Sequence, residues 1–207
     1  MSREIVVAVF LLVWLVFFIL VNLHNILFLH RRGVSAHARA EVRRPSGLAV
    51  AIVALGTGLY FLEVCLYAVL AFSGTLTLLH DPLSDVLSPF TSYTLAPGLL
   101  LTSMGYSLFI WSVITRGRYA VSWAMPEDQS LVTWGPYRYV RHPSYLGYFL
   151  MFLGLFFLWP ILFSLIPLAA IPGYWRVVPV EERFLLERFG DTYAEYQKRT
   201  GRFFPKL

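Results

Sequence analysis

The sequence predicts an all-α, polytopic membrane protein with about five transmembrane helices. Of its 207 residues, 57% are apolar and only 14% are charged, whereas about a quarter of the residues of a soluble domain carry a charge. A second observation is that residues 5–29 contain no Asp, Glu, Lys or Arg. That stretch is longer than the roughly 20 residues that cross a hydrocarbon core of about 30 Å. A third observation is that further long apolar stretches follow residues 5–29.

The first span is residues 5–29, the second runs from residue 48 to about 72, and the third covers residues 95–115. The second span contains one carboxylate, Glu63. An ionisable group inside a span is a functional candidate by default. We favour a structural role, either a protonated side chain or a hydrogen bond to the first span, since such bonds join membrane helices. The candidate partners in the first span are Asn22, His24 and Asn25.

Residues 144–175 are also uncharged, but as one helix rising about 1.5 Å per residue they would be far longer than a bilayer is thick. We place a turn at Pro160, because proline removes a backbone donor and clashes with the preceding turn of a helix. The last two spans are therefore predicted to form a short helical hairpin. Each arm has roughly 15 residues, which is short for a full crossing.

The segment after the hairpin is predicted to be a structured helical tail. Apolar residues recur at near-helical spacing over residues 181–189. Gly190 can end that helix and Asp191 can cap the next one. Tyr193 and Tyr196 then share a face, and we expect them to pack in the core.

The distribution of basic residues predicts the orientation in the membrane. The loop after the first span is rich in arginine, whereas residues 73–94 contain Asp81 and Asp85 and no Lys or Arg. By the positive-inside rule the first loop is cytoplasmic, and alternation places residues 116–141 and the tail on that side too. Attraction to anionic lipid accounts for the net charge of +5 without a nucleic-acid partner. We assign Arg199 and Arg202 to the lipid surface.

Metal and disulfide chemistry are not expected from this sequence. Its single cysteine, Cys65, falls inside the second span, and the five histidines show no helical pairing. We divide the chain into N-terminal transmembrane helices, residues 1–115, and a catalytic membrane domain, residues 116–207, made of a loop, the hairpin and the tail.

Polar groups concentrate at the start of the hairpin. Residues 131–148 carry two arginines, a histidine and four tyrosines beside a Gly-Pro turn. Such residues also anchor helices in the headgroup layer. A second polar element, formed by Arg176, Glu181 and Glu182, follows the hairpin. The two elements together favour a functional site over simple anchoring.

The order of these motifs is similar to that of the isoprenylcysteine carboxyl methyltransferases. The matching positions are Leu131-Val132-Thr133, Gly135, Tyr137, Arg141-His142-Pro143-Ser144-Tyr145, Glu181-Glu182 and Phe189-Gly190-x-x-Tyr193-x-x-Tyr196. The resemblance covers the C-terminal part of the chain, and the first two spans carry no diagnostic residue. It implies a wider superfamily of integral-membrane enzymes, including phospholipid methyltransferases, that bind S-adenosylmethionine.

The resemblance also implies a set of site residues. Those that would hold the cofactor are Gln129, Ser130, Leu131, Val132, Tyr137, His142, Pro143, Ser144, Tyr145 and Glu181. Arg176 would meet the carboxylate of the acceptor, although it stands five residues before Glu181, where we expect four or fewer. Glu182 completes the catalytic pair, and either glutamate can bind the ammonium of the cofactor.

The function that this resemblance implies is transfer of a methyl group from S-adenosylmethionine to a lipophilic acceptor. The acceptor stays open among the carboxylate of a prenylated cysteine, a phospholipid amine, an isoprenoid quinone precursor and a small thiol. Two alternatives stay open: a reductase similar to the sterol reductases, which would bind NADPH, and a lipid-binding protein without activity. The expected location is a multi-pass position in a prokaryotic inner membrane, with the active site on the cytoplasmic side.

Overall fold

The computed structural model describes residues 2–31, 47–119 and 130–206, and this part of the chain is helical apart from turns and one isolated bridge. Its α-helices are α1 (Arg3–Arg31), α2 (Leu48–Ser73), α3 (Pro82–Leu87), α4 (Thr91–Arg116), α5 (Pro143–Leu158), α6 (Ala170–Phe189) and α7 (Asp191–Arg199). Short 3-10 turns connect several of them. The prediction of an all-α protein is confirmed for the described residues.

Four helical segments are long and apolar enough to cross a membrane. They are Arg3–Leu27, Leu48–Ser73, Pro82–Arg116 and Phe163–Phe189. The remaining apolar helix, α5, has only 16 residues, or about 24 Å at 1.5 Å per residue. The chain is thus a polytopic membrane protein with four full-length candidate spans and one shorter apolar helix.

The turn of the hairpin lies at Pro160, as predicted. Helix α5 ends at Leu158, and Trp159 and Pro160 follow without helical structure. A 3-10 segment, Phe163–Ala169, leads into α6. The return arm does not stop at residue 175, because α6 continues through Pro179 to Phe189. The two glutamates therefore stand on the same rigid helix as the return arm.

The end of α6 and the start of α7 differ from one detail of the prediction. Gly190 adopts a positive φ of 50° and serves as C-cap of α6 and N-cap of α7. No side chain caps α7, so the assignment of Asp191 as the capping residue is wrong. A glycine can adopt this backbone conformation without steric cost, and it turns the tail back toward the segment before α5.

Helices α4 and α5 approach each other backbone to backbone. A Cβ added to Gly105 of α4 would lie 2.7 Å from the carbonyl oxygen of Gly147 on α5. One added to Gly154 of α5 would lie 2.7 Å from the backbone nitrogen of Thr102. Small residues allow such close packing of membrane helices, and this packing fixes the start of α5, where the polar motif lies.

Glu63 of α2 is fully buried, and its two carboxylate oxygens have no hydrogen-bond partner among the described residues. The expected bond to the first span is therefore wrong. Asn22, one of the proposed partners, donates instead to the carbonyl of Phe18 at 2.8 Å. Because an unpaired carboxylate is costly to bury, a protonated side chain is the structural explanation that remains.

The loop between α2 and α4 is attached to the hairpin turn by Asp81. Its carboxylate accepts the backbone N–H of Leu162 at 2.6 Å and that of Ser84 at 3.0 Å. Desolvation would raise the pKa of Asp81, but these backbone donors outweigh it and hold the pKa below its ordinary value. The attachment is therefore ionised at neutral pH. We call this end of the bundle, with the turn at residues 159–162, the hairpin end.

Candidate functional site

The opposite end of the bundle holds the polar motif, where the end of the chain pairs with the segment before α5. Val140 and Gly201 form a parallel bridge. Arg141 donates its backbone N–H to Gly201 at 2.8 Å, and His142 donates to Arg202 at 3.0 Å. This pairing brings residues that are far apart in sequence into one cluster, which we call the glutamate cluster: Arg141, His142, Tyr145, Glu181, Glu182 and Arg202.

Glu182 is the centre of that cluster and is 4% exposed. Its carboxylate accepts from Arg141 Nε at 2.7 Å and from Arg202 Nε at 3.0 Å. Nε2 of His142 lies 3.3 Å away, and the amide of Gln197 donates at 3.4 Å. Charge-assisted bonds of this kind are the strong ones. With cationic or polar donors on both oxygens, Glu182 holds the loop and the tail together.

Arg141 extends the same network to the tail backbone. Its side chain is 8% exposed. Nη1 donates to the carbonyl of Thr200 and, at 3.3 Å, to that of Gln197. Both carbonyls lie at the end of α7, where backbone acceptors have no partner within the helix. Arg141 therefore links the polar motif to α7 as well as to Glu182.

Glu181 is the more accessible of the paired glutamates, with 16% of its side chain exposed. The hydroxyl of Tyr145 donates to its Oε1 at 2.6 Å, and Nδ1 of His142 lies 3.7 Å from its Oε2. The rings of His142 and Tyr145 stack at 5.5 Å with an interplanar angle of 9°. Glu181 is thus a carboxylate fixed in place at the edge of the cluster.

An aromatic wall leads from Tyr145 into the bundle. Its ring contacts that of Tyr174 at 4.6 Å, and Tyr174 stacks on Tyr148 at 6.0 Å. The hydroxyl of Tyr174 lies 2.8 Å from that of Thr57 on α2. The wall connects the polar cluster to the apolar interior, which is the combination that small-molecule sites commonly have.

The tail tyrosines are core residues, as their helical spacing predicts. Tyr193 is 1% and Tyr196 is 9% exposed. The hydroxyl of Tyr196 donates to the carbonyl of Tyr137 at 2.6 Å. Burial raises the pKa of both tail phenols, so both are neutral at physiological pH. Helix α7 thereby contacts the 3-10 turn Gly135–Arg138 directly.

The structure brings together four of the predicted site residues: His142, Tyr145, Glu181 and Glu182. Pro143 is buried at the first position of α5 and Ser144 is half-buried beside it. Tyr137 is buried, and its hydroxyl has no hydrogen-bond partner among the described residues.

The remaining predicted cofactor residues precede the Gly135 turn. Val132 is buried, Leu131 is half-buried and Ser130 is exposed. Gln129 lies outside the described residues.

Arg176 is not part of the glutamate cluster. It is exposed on α6, and within the described residues it forms no ion pair with Glu181 or Glu182. At about 100° per residue, five or six positions along a helix turn a side chain well away from the glutamates. Its role toward an acceptor stays a prediction.

Arg202 belongs to the cluster, so its assignment to the lipid surface is wrong. Its guanidinium donates to Glu182, and 40% of the side chain stays exposed. Sequence spacing carries no signal for this contact, because a pairing of backbone segments far apart in the chain creates it. Gln197 and Thr200 were missed for the same reason.

Comparison with known proteins shows what this chain is similar to. Residues 93–192 match the family model described as Phospholipid methyltransferase. The protein-S-isoprenylcysteine O-methyltransferase of Schizosaccharomyces pombe is 37% identical over 90 residues, which are 39% of this chain and 35% of the relative. That of Tribolium castaneum is 31% identical over 113 residues, covering 52% of this chain and 40% of the relative.

A relative with a different name is also similar to this chain. The cobalt-zinc-cadmium resistance protein CzcN of Cupriavidus metallidurans is 40% identical over 83 residues, covering 39% of this chain and 38% of that protein. The chain thus spans well under two thirds of the length of these relatives. The matches confirm the resemblance seen in the sequence: residues 93–192 are similar to the phospholipid methyltransferase family model, and the chain is similar to protein-S-isoprenylcysteine O-methyltransferases.

Proposed function

We propose that this protein is a membrane methyltransferase that transfers the methyl group of S-adenosylmethionine to a lipophilic acceptor. The observation that carries the proposal is the position of Glu181, a fixed and partly accessible carboxylate beside the His142 and Tyr145 rings, inside the segment that matches the family. A carboxylate and flat aromatic surfaces are what an ammonium, a sulfonium and an adenine would require.

A buried polar atom without a partner supports the fit of this cofactor. The hydroxyl of Tyr137 lies in the turn before the cluster and has no hydrogen-bond partner among the described residues. Buried polar groups are normally satisfied, so a ligand with several polar groups suits this position. We assign Tyr137, His142, Tyr145 and Glu181 to cofactor binding, with Glu181 on the ammonium. Gln129, Ser130, Leu131, Val132, Pro143 and Ser144 complete the proposed cofactor set.

Glu182 has a different role in this proposal. Its two oxygens already accept from arginine, histidine and glutamine side chains, so it acts as a positioning residue that keeps the loop and tail in register. When bound, S-adenosylmethionine supplies an electrophilic methyl group on a sulfonium. The chain contributes orientation and exclusion of water, which supply much of the rate in such transfers.

The acceptor proposed here is the carboxylate of a prenylated cysteine, as the names of the relatives suggest. A carboxylate is already an anion at neutral pH, so its methylation needs no general base. Arg176 is exposed on α6 and forms no ion pair with the glutamate cluster among the described residues. We propose that it meets the acceptor carboxylate as the acceptor arrives from the bilayer, with the site on the cytoplasmic side.

Calorimetric binding tests the cofactor. We expect the purified chain in detergent to bind S-adenosylmethionine and S-adenosylhomocysteine but not NADPH. Glu181→Gln should weaken binding of the first by about tenfold or more, because a hydrogen bond to a charged group contributes roughly 1.5–3 kcal/mol. Glu195→Gln is the matched control, since Glu195 is exposed and pairs with the exposed Lys198 outside the glutamate cluster. Binding of NADPH would favour the reductase, and binding of none of the three would favour a protein without activity.

Transfer of a labelled methyl group tests the acceptor. We compare a farnesylated cysteine with its carboxamide, which has the same lipid chain and no carboxylate. Transfer to the acid alone supports the proposal, and Arg176→Gln should then raise the KM for the acid while leaving the cofactor affinity unchanged. Equal transfer to both compounds would refute a carboxylate acceptor.

A further inference from the structure

A cavity of about 370 Å³ lies at the hairpin end of the bundle, between the start of α1, the end of α2, the following loop and the turn at residues 159–162. It falls in the size range of ligand pockets. Helix α5 begins beside His142 and ends beside Trp159, so its length of about 24 Å separates this cavity from the glutamate cluster. The cavity is therefore distinct from the proposed methyl-transfer site, and the following inference does not rest on that function.

One wall of the cavity carries polar and charged side chains. Tyr67 lines it and is only 2% exposed, and its hydroxyl makes no hydrogen bond with any described residue. Arg3 lines the same cavity, and no ion pair joins its guanidinium to a carboxylate in the described part of the chain. The Tyr67 hydroxyl and the half-exposed Arg3 guanidinium thus face the cavity with donor capacity that the described residues do not use. Both are donors suited to a phosphate.

A carboxylate stands beside these donors. Glu4 follows Arg3 on the first turn of α1 and also lines the cavity. The wall therefore presents a positive and a negative group side by side. A ligand that carries only an anion would bring its charge close to Glu4, whereas a head with a phosphate and an ammonium matches both groups.

The other side of the cavity is apolar and continues into a second cavity. Leu158, Trp159 and Ile161 line the first. The second, of about 510 Å³, is lined mainly by apolar side chains and shares His80 and Ile161 with the first. A cavity with one polar wall that adjoins an apolar cavity suits an amphiphile, with its head against the polar wall and its chain along the second cavity.

We infer that the hairpin end binds one zwitterionic phospholipid, whose phosphate is held by Arg3 and the Tyr67 hydroxyl and whose ammonium is held by Glu4. The position of the cavity along the spans also suits a phospholipid. It lies at the ends of α1, α2 and α5, where the headgroups of a bilayer would meet these spans. His80 is held by Asp85 at 2.6 Å and lines both cavities, so the imidazole stands where the first cavity adjoins the second.

Native mass spectrometry of the full chain in detergent tests the site. We expect one molecule of dioleoylphosphatidylethanolamine to stay bound per chain. Dioleoylphosphatidylglycerol, which has the same chains without an ammonium, and glycerophosphoethanolamine, which has the same head without chains, should bind far less. Tyr67→Phe should weaken retention by roughly three- to tenfold, the range of one hydrogen bond, and Arg3→Gln by more.

The matched control is Tyr93→Phe, which removes a hydroxyl from a tyrosine at the same end that is 78% exposed and outside both cavities. Its retention of lipid should equal that of the wild type. Thermal unfolding of each variant without added lipid separates loss of lipid from loss of fold. Equal retention of the two phospholipids, equal binding of the free head, no retained lipid, or equal effects of Tyr67→Phe and Tyr93→Phe would each overturn the inference.

Discussion

Glu182 is buried against two guanidinium groups and an imidazole, and the stability of the glutamate cluster depends on its charge. We expect Glu182→Gln to lower the free energy of unfolding by about 3–5 kcal/mol, the cost of leaving a buried charge without its partner. The change keeps the shape of the side chain, so a lower unfolding temperature in detergent would report on charge. Arg141, whose side chain is 8% exposed, would be left most strongly unpaired.

Glu195→Gln provides the comparison for that prediction. Glu195 pairs with Lys198 at 2.6 Å, but both side chains are more than half exposed. Exposed pairs contribute little, so the unfolding temperature should stay close to that of the wild type. Similar unfolding temperatures for the two variants would mean that the cluster does not hold the tail in place.

For the two buried tyrosines of α7, we predict opposite effects of replacement by phenylalanine. The hydroxyl of Tyr196 donates to the carbonyl of Tyr137 at 2.6 Å, whereas that of Tyr193 is buried with no partner among the described residues. We expect Tyr196→Phe to destabilise the protein by about 1–3 kcal/mol, because it leaves a buried carbonyl unsatisfied. Tyr193→Phe should be neutral or stabilising. Chemical denaturation of both variants checks this, and a reversed order would contradict it.

At the level of elements, the contact between α4 and α5 depends on glycine. We expect Gly105→Ala to destabilise the bundle, because the new methyl group would press on the backbone of α5 at 2.7 Å from the carbonyl of Gly147. Gly58→Ala on α2 is the control, since a Cβ there meets nothing within 4 Å and alanine favours the helix by about 1 kcal/mol. Unfolding temperatures should fall for the first variant and not for the second.

An element could be predicted from the sequence where local forces determine it. The turn at Pro160 was predictable because proline acts on its own helix, and the long apolar spans because length and composition decide them. Pro179 stands inside α6 without ending it, since neighbouring helices in a membrane protein can satisfy the freed backbone groups. Proline alone therefore could not reveal that the return arm and the glutamates share one helix.

The site was predictable to the extent that its motifs are local. Residues 141–145 and the paired glutamates stand in compact strings, and the structure brings their side chains together. Arg202 was missed because its contact with Glu182 depends on the backbone pairing of Val140 with Gly201. Arg176 matched a motif only approximately, and its exposed position on α6 reflects that difference of register.

At the scale of the whole molecule, polar groups concentrate at the two ends of an apolar bundle. The glutamate cluster lies where α5 begins, and the cavity that we infer to bind a phospholipid lies where α5 ends. The loop at the hairpin end carries no Lys or Arg between residues 73 and 94, whereas residues 116–141 and the tail are rich in them. The charge asymmetry of the sequence therefore coincides with the two ends of the structure, and by the positive-inside rule we predict that the glutamate cluster faces the cytoplasm.

Labelling with a membrane-impermeant maleimide tests that orientation. Cys65→Ser removes the single native thiol, after which Ser88→Cys marks the hairpin end and Thr192→Cys marks the tail; both positions are exposed. In intact cells Ser88→Cys should react, and Thr192→Cys should react only after the membrane is permeabilised. The reverse pattern would invert the protein, in which case the cofactor site would face away from the compartment that supplies S-adenosylmethionine and the proposed activity could not operate. Labelling of both positions in intact cells would show instead that α5 and α6 do not return the chain to the side on which residues 116–141 lie.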